Sequence, residues 1–142
     1  MSPLERRTPK RAARRRDTGP DTAVRAIVDQ RCGGRCELCD RPLAGTPWSR
    51  HHRHPRRMGG TTRLWVNAPS NLLVICGTGT TACHGVVEAN RRVSLKAGFL
   101  VRDGVDPRTV PVELARGLTW LDDDGMYLDQ PPAPLPHAPG AP

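Results

Sequence analysis

Apolar positions along this chain come in short bursts separated by polar and turn-forming residues. Asp21 is suited to cap a helix over 22–30, with Ala23, Ala26 and Ile27 on one side. A turn around Pro42 and Gly45 leads into a polar stretch, 47–54, of strand length, and Gly59-Gly60 then breaks the chain. Leu72-Leu73-Val74-Ile75, ending at Cys76, is an unbroken apolar run of the kind expected of a buried strand. From 82 to 97 the pattern changes to helical, with Val86, Val87, Val93 and Leu95 forming an imperfect face and Gly98 as a stop. Short strands are expected at 99–101, 109–112, 119–121 and 126–128, the last two joined by Asp122-Asp123-Asp124-Gly125. The predicted class is a small α+β domain over 21–130, with no internal repeat.

Composition narrows what this domain can be. Residues 1–20 carry seven basic side chains and almost nothing apolar, so they are expected to be a disordered basic arm. Residues 131–142 hold six prolines and are expected to form a disordered, extended tail. The remaining core is short, and aromatic residues make up only 4% of the chain. Burial of apolar surface alone is then marginal, and a crosslink or structural metal is expected.

The net charge of +8 is unevenly spread. Between 48 and 100 lie eight basic residues and one acid, Glu88; between 101 and 130 seven acids face three arginines. A general preference for arginine, which supplies twenty of the twenty-two basic residues, does not explain that clustering. A basic middle points to a polyanionic partner, nucleic acid above all. No membrane-spanning run or secretory signal is recognisable, so a soluble, cytoplasmic chain is expected, in which paired cysteines signify metal more often than disulfide.

Cys36 and Cys39 form a CxxC knuckle, and Cys76 and Cys83 a second pair with six residues between them. Four thiolates from two loops suit tetrahedral, structural Zn²⁺; disulfides or unrelated buried thiols are the alternatives. Cys32 is left over as a free thiol near a helix end. His51, His52 and His54 are crowded into one segment, and adjacent strand residues point to opposite faces. At a strand end, one ring can bind a metal while its neighbour approaches substrate. Hydrolysis of a phosphodiester needs both a base near neutral pH and a cation to neutralise the phosphate. His84 and Glu88 are four apart on the predicted helix and can grip one ion together, although Glu88 has Arg91 or Arg92 as alternative partners.

The ordered motifs His51-His52-Arg53-His54, Asn71-Leu72-Leu73-Val74-Ile75-Cys76 and Cys83-His84-Gly85, with the CxxC before them, resemble the HNH endonucleases. The likeness is to the small zinc-knuckled forms of bacteriophages and prophages, and it runs from about Arg35 to Arg92, within a motif core of 35–97. It implies a ββα-metal core stapled by the zinc site. It further implies His52 as general base, Asn71 as the brace of the loop carrying it, and His51 and His84 as ligands of a catalytic divalent ion. Glu88 stands where some members carry a second helix histidine, so it is the candidate third ligand. Mg²⁺ or Mn²⁺ is the expected ion, with Ni²⁺ or Zn²⁺ as alternatives.

Arg53, Arg56 and Arg57 flank the base and are expected to contact DNA phosphates. Trp48 and Trp65 are expected to pack in the core rather than stack on bases. The resemblance implies cleavage of DNA to 5′-phosphate and 3′-hydroxyl ends in a bacterial host cell, with a phage terminase as possible partner in genome packaging. The competing class is a zinc-ribbon DNA-binding module without catalysis, which has no use for His51, His52, Asn71 and His84 in that order.

Overall fold

The computed structural model describes residues 17–57 and 63–134. Most of the basic arm, the Gly59-Gly60 turn and the end of the proline-rich tail lie outside the described residues. The described chain is α+β, with three helices and two small antiparallel sheets among those residues. None of these helices is long and apolar enough to cross a membrane.

Helix α1 spans Thr22–Cys32 and starts as expected, with the Asp21 carboxylate accepting from the Val24 N–H at 2.9 Å. Its inward side is Val24 and Val28, with Ile27 half-buried, while Ala23 and Ala26 face solvent. The larger side chains at i and i+4 took the core in preference to the alanines, because they remove more apolar area from water. Strands β1 (Trp48–His52) and β2 (Leu72–Cys76) pair antiparallel, His51 opposite Leu73 and His52 opposite Leu72. All five residues of β2 are buried, as their unbroken apolar run predicts.

The expected helix over 82–97 is instead two: α2 (Ala82–Ala89) and α3 (Arg91–Lys96), parted at Asn90. The Asn90 backbone leaves helical geometry, at φ −128° and ψ 68°, and the Ser94 hydroxyl donates to the Val87 carbonyl at 2.8 Å across the break. Only Val87 of the anticipated apolar face is fully buried; Val86 and Val93 are exposed. Residues 99–101 form a turn and irregular chain rather than a strand, tied down by the Val101 N–H to the Arg53 carbonyl at 2.8 Å. The second sheet, in the order β3 (Val112–Leu114), β4 (Gly117–Leu121), β5 (Tyr127–Leu128), follows a 3-10 turn at Pro107–Thr109, and the strand expected over 109–112 begins only at Val112.

Arg53 requires the largest correction. Expected on DNA, it is fully buried. Its guanidinium donates to four backbone carbonyls: Gly98 at 2.8 Å, Ser70 and Pro107 at 3.0 Å each, and Val110 at 2.7 Å. Burial, reinforced by the Arg31 charge, pushes its pKa down to about 9, which leaves it charged at neutral pH. The planar fork satisfies carbonyls of loops that have no strand partner of their own, so Arg53 substitutes for missing sheet. Arg53→Ala should cost about 3 kcal/mol or more, because several buried acceptors lose their donor together. Arg53→Lys should recover little, since an ammonium cannot reproduce the fork. Thermal unfolding checks both: a melting temperature within a few degrees of wild type for either variant would contradict this role.

Candidate metal and catalytic site

The cysteine site is built by folding two loops onto the ends of β2. The knuckle closes through the Cys36 N–H to the Arg41 carbonyl and the Asp40 N–H to the Cys36 carbonyl, each 2.8 Å. Glu37 then fastens it to the strand. Its own N–H donates to the Val74 carbonyl at 3.0 Å, and its carboxylate accepts from the Val74 N–H at 2.6 Å. This lays Cys36 beside Cys76, whose N–H points at the Cys36 sulfur at 3.3 Å.

The wide spacing from Cys76 to Cys83 is absorbed by a tight return. Gly77 sits at φ +90°, and a Cβ there would come within 2.0 Å of the Thr81 carbonyl oxygen. Thr81 Oγ1 accepts from the Thr78 N–H at 2.9 Å, drawing the loop closed just before α2 begins. The four ligand sulfurs of Cys36, Cys39, Cys76 and Cys83 consequently lie within 4.8 Å of one another, a closed set suited to a structural zinc ion. Burial and the neighbouring thiols push the Cys83 thiol up, so in the absence of metal it stays protonated and zinc must displace that proton. Cys32 stays apart, its half-buried thiol donating to the Asp29 carbonyl at 3.2 Å.

Strand alternation sends His51 and His52 to opposite faces of β1. His51 turns towards α2. Its Nε2 lies 2.9 Å from the Phe99 carbonyl, which can only accept, so Nε2 carries the proton and Nδ1 offers a lone pair. That Nδ1, His84 Nε2 and Glu88 Oε1 form a triangle with sides of 3.4, 3.5 and 3.5 Å. Three donors each ~2.1 Å from one ion are separated by about 3.4 Å in tetrahedral directions and by about 3.0 Å in octahedral ones. The triangle therefore suits three protein ligands with a fourth direction open. Glu88 faces the two histidines rather than Arg91 or Arg92. Burial lowers the His51 pKa to about 4, helped by His84 and opposed by the Phe99 contact and Glu88, so the ring is neutral and ligand-ready at physiological pH.

His52, half-buried, places its Nε2 3.0 Å from the Asn67 side-chain oxygen. Burial lowers its pKa and Arg56 adds to that, against the Asn67 contact. Asn71 is buried, with its oxygen and both amide hydrogens engaged. Its oxygen accepts from the His54 N–H at 2.8 Å, and its amide donates to the carbonyls of His54 at 3.1 Å and Val66 at 2.8 Å. It therefore ties the chain just past β1 to the turn preceding β2.

Of the flanking arginines, Arg56 is half-buried and Arg57 exposed. Arg57 and Arg63 both reach Asp103, at 3.3 and 2.6 Å, and the same carboxylate lies 3.2 Å from His54 Nε2. Those pairings lower the Asp103 pKa, the His54 contact most. Trp48, expected in the core, is 40% exposed beneath the Arg50 guanidinium, whereas Trp65 packs half-buried against the His54 ring. The sequence pattern does not single out Glu37, Asn67 or Asp103. Glu37 and Asp103 carry no motif signal, and Asn67 is marked only by its place four residues before Asn71. No family model, curated protein or solved structure matches the chain.

Two outcomes follow from this geometry. Purified protein should carry about one zinc per chain, and Cys76→Ser should lose it together with cooperative unfolding; folded, zinc-free protein would contradict the clamp. His51 protonates near pH 4 when folded and near its ordinary 6.5 when unfolded. Its stabilising contribution is thus complete above pH 6.5 and is lost as pH falls towards 4. Urea midpoints taken across that window should decline less steeply in His51→Gln than in wild type.

Proposed function

We propose that this protein is a metal-dependent DNA endonuclease of the HNH type, with a ββα-metal core made of β1, β2 and α2. The observation that carries the reading is the pairing of two neighbouring histidines with separate jobs. His51 joins His84 and Glu88 in an open three-donor cluster, while His52 faces the other way as a neutral imidazole. A zinc-ribbon binding module needs the cysteine clamp but has no use for a second, open donor set.

In this reading His52 accepts a proton from the water that attacks phosphorus, and the bond to the 3′ oxygen breaks to leave 5′-phosphate and 3′-hydroxyl ends. His51, His84 and Glu88 would hold a divalent ion, which when bound would neutralise charge on the phosphate and the leaving oxygen. Asn71 holds the turn after His52 in register. Arg56, beside the base, and Arg57, at the surface, would meet the DNA backbone, with the basic arm adding salt-sensitive affinity. Two imidazoles and a carboxylate would accept Mg²⁺ or Mn²⁺, with Ni²⁺ or Zn²⁺ as alternatives. A phage origin, genome packaging and a terminase partner follow from the motif resemblance alone.

Plasmid nicking or linearisation should appear with at least one of Mg²⁺, Mn²⁺, Ni²⁺ or Zn²⁺ and vanish in EDTA. His52→Ala should lower the rate by about 10²- to 10⁴-fold while leaving DNA binding intact. A wild type that binds DNA but cuts it with none of these ions would establish the binding module instead.

A further inference from the structure

We propose that Asn67 is a positioning residue for the candidate base: its side-chain oxygen holds the His52 ring as the Nε2–H tautomer and leaves Nδ1 to accept the proton. This role rests on the nuclease reading, but the contact that argues for it does not.

An asparagine amide is ambiguous until one end is identified, and here Thr18 identifies it. The Asn67 side-chain nitrogen lies 2.9 Å from the Thr18 backbone carbonyl, an atom that can only accept. The nitrogen is therefore the donor at that end, and the oxygen is the atom 3.0 Å from His52 Nε2. An amide oxygen also only accepts, so Nε2 must carry the proton. A neutral imidazole has one N–H, and its lone pair is then at Nδ1.

The contact is tied to the fold at both ends. Asn67 is the last residue of a 3-10 turn, Leu64–Asn67, and the carbonyl of Val66 within it accepts from the buried Asn71 amide. Thr18 belongs to a segment fastened to α1 by Arg25, which donates to the Pro20 carbonyl at 2.7 Å and pairs with Asp17 at 2.9 Å. The two asparagines have complementary roles, Asn71 bracing the backbone beyond the strand and Asn67 bracing the ring. The chain Thr18–Asn67–His52 also places the root of the basic arm one side chain away from the candidate base.

The test uses the full-length, zinc-loaded protein and two variants, Asn67→Leu, which removes the acceptor at similar volume, and Asn67→Asp, which keeps it. Imidazole ¹⁵N shifts, with His52 assigned by His52→Gln, report the tautomer; steady-state plasmid cleavage reports kcat and KM. Wild type should show a protonated Nε2 and a bare Nδ1 at His52. Asn67→Leu should mix the tautomers and lower kcat on the order of 10- to 100-fold with KM unchanged. Asn67→Asp should restore the wild-type tautomer and most of the rate. A cleaving wild type whose Asn67→Leu variant keeps both rate and tautomer would overturn the proposal, as would a wild-type His52 protonated at Nδ1. A wild type that leaves DNA uncut with every one of the four ions fails differently, because it removes the nuclease reading and the positioning role together.

Discussion

The carboxylate of Glu37 is the point on which this structure turns. It sits between the two knuckle cysteines and is almost wholly buried, with Arg31 forked onto it at 2.9 and 3.1 Å. The Tyr127 hydroxyl donates to one of its oxygens at 2.8 Å and the Val74 N–H to the other. Arg31 continues the network into the carbonyls of Pro69 and Leu72. One ion pair thereby joins α1, the knuckle, β2, the turn before it and the last strand. Burying two charges is costly unless every lone pair and proton is used, and here the partners come from five different pieces of chain. The net stabilisation from such a pair is small. Its effect is to exclude alternatives, because a shifted knuckle would strand a carboxylate and a guanidinium in the core.

Two contacts on β2 set the candidate metal and base positions. Glu37 fixes where the knuckle meets β2, and the pairing of β2 with β1, Cys76 opposite Trp48, puts His51 and His52 at the far end of the hairpin. From there alternation does the sorting. One ring falls among α2 side chains and the Phe99 carbonyl, and the other falls beside Asn67. Both are held below their ordinary pKa by burial, but their surroundings differ. His51 points its free nitrogen at two other donors, which is the geometry of a ligand. His52 belongs to no cluster of three or more His, Cys, Asp or Glu donors among the described residues, which suits a proton acceptor.

Much of this was legible in the sequence because it rests on local rules. The Asp21 cap, the β2 run and the cysteine and histidine clusters are patterns within a few residues of one another. What was not legible depends on distant partners. Nothing local distinguishes Arg53, buried against four carbonyls, from Arg57 at the surface, since both sit in the same basic stretch. The expected helix over 82–97 breaks at Asn90, where the Ser94 hydroxyl caps the Val87 carbonyl, a side-chain substitution that helical periodicity does not register. Glu37 looked like an ordinary polar residue between ligands, and its role appears only once Arg31 and Tyr127 are folded against it.

The basic middle of the chain is therefore not a uniform electropositive surface. Arg53 is consumed by backbone carbonyls, Arg50 by Asp29, and Arg57 and Arg63 share Asp103. Asp103 comes from the acidic last third of the chain, so the two halves that looked opposed in sequence are interleaved in space. Charge that is already paired adds little long-range attraction, and a polyanion approaching Arg57 or Arg63 must compete with a carboxylate for them. Such competition favours a ligand that can offer several anionic oxygens at once over a single anion. In the proposed reading, a DNA backbone passing Arg56 and Arg57 would meet that condition, and the carboxylate it would displace stands beside His54, two residues from the candidate base.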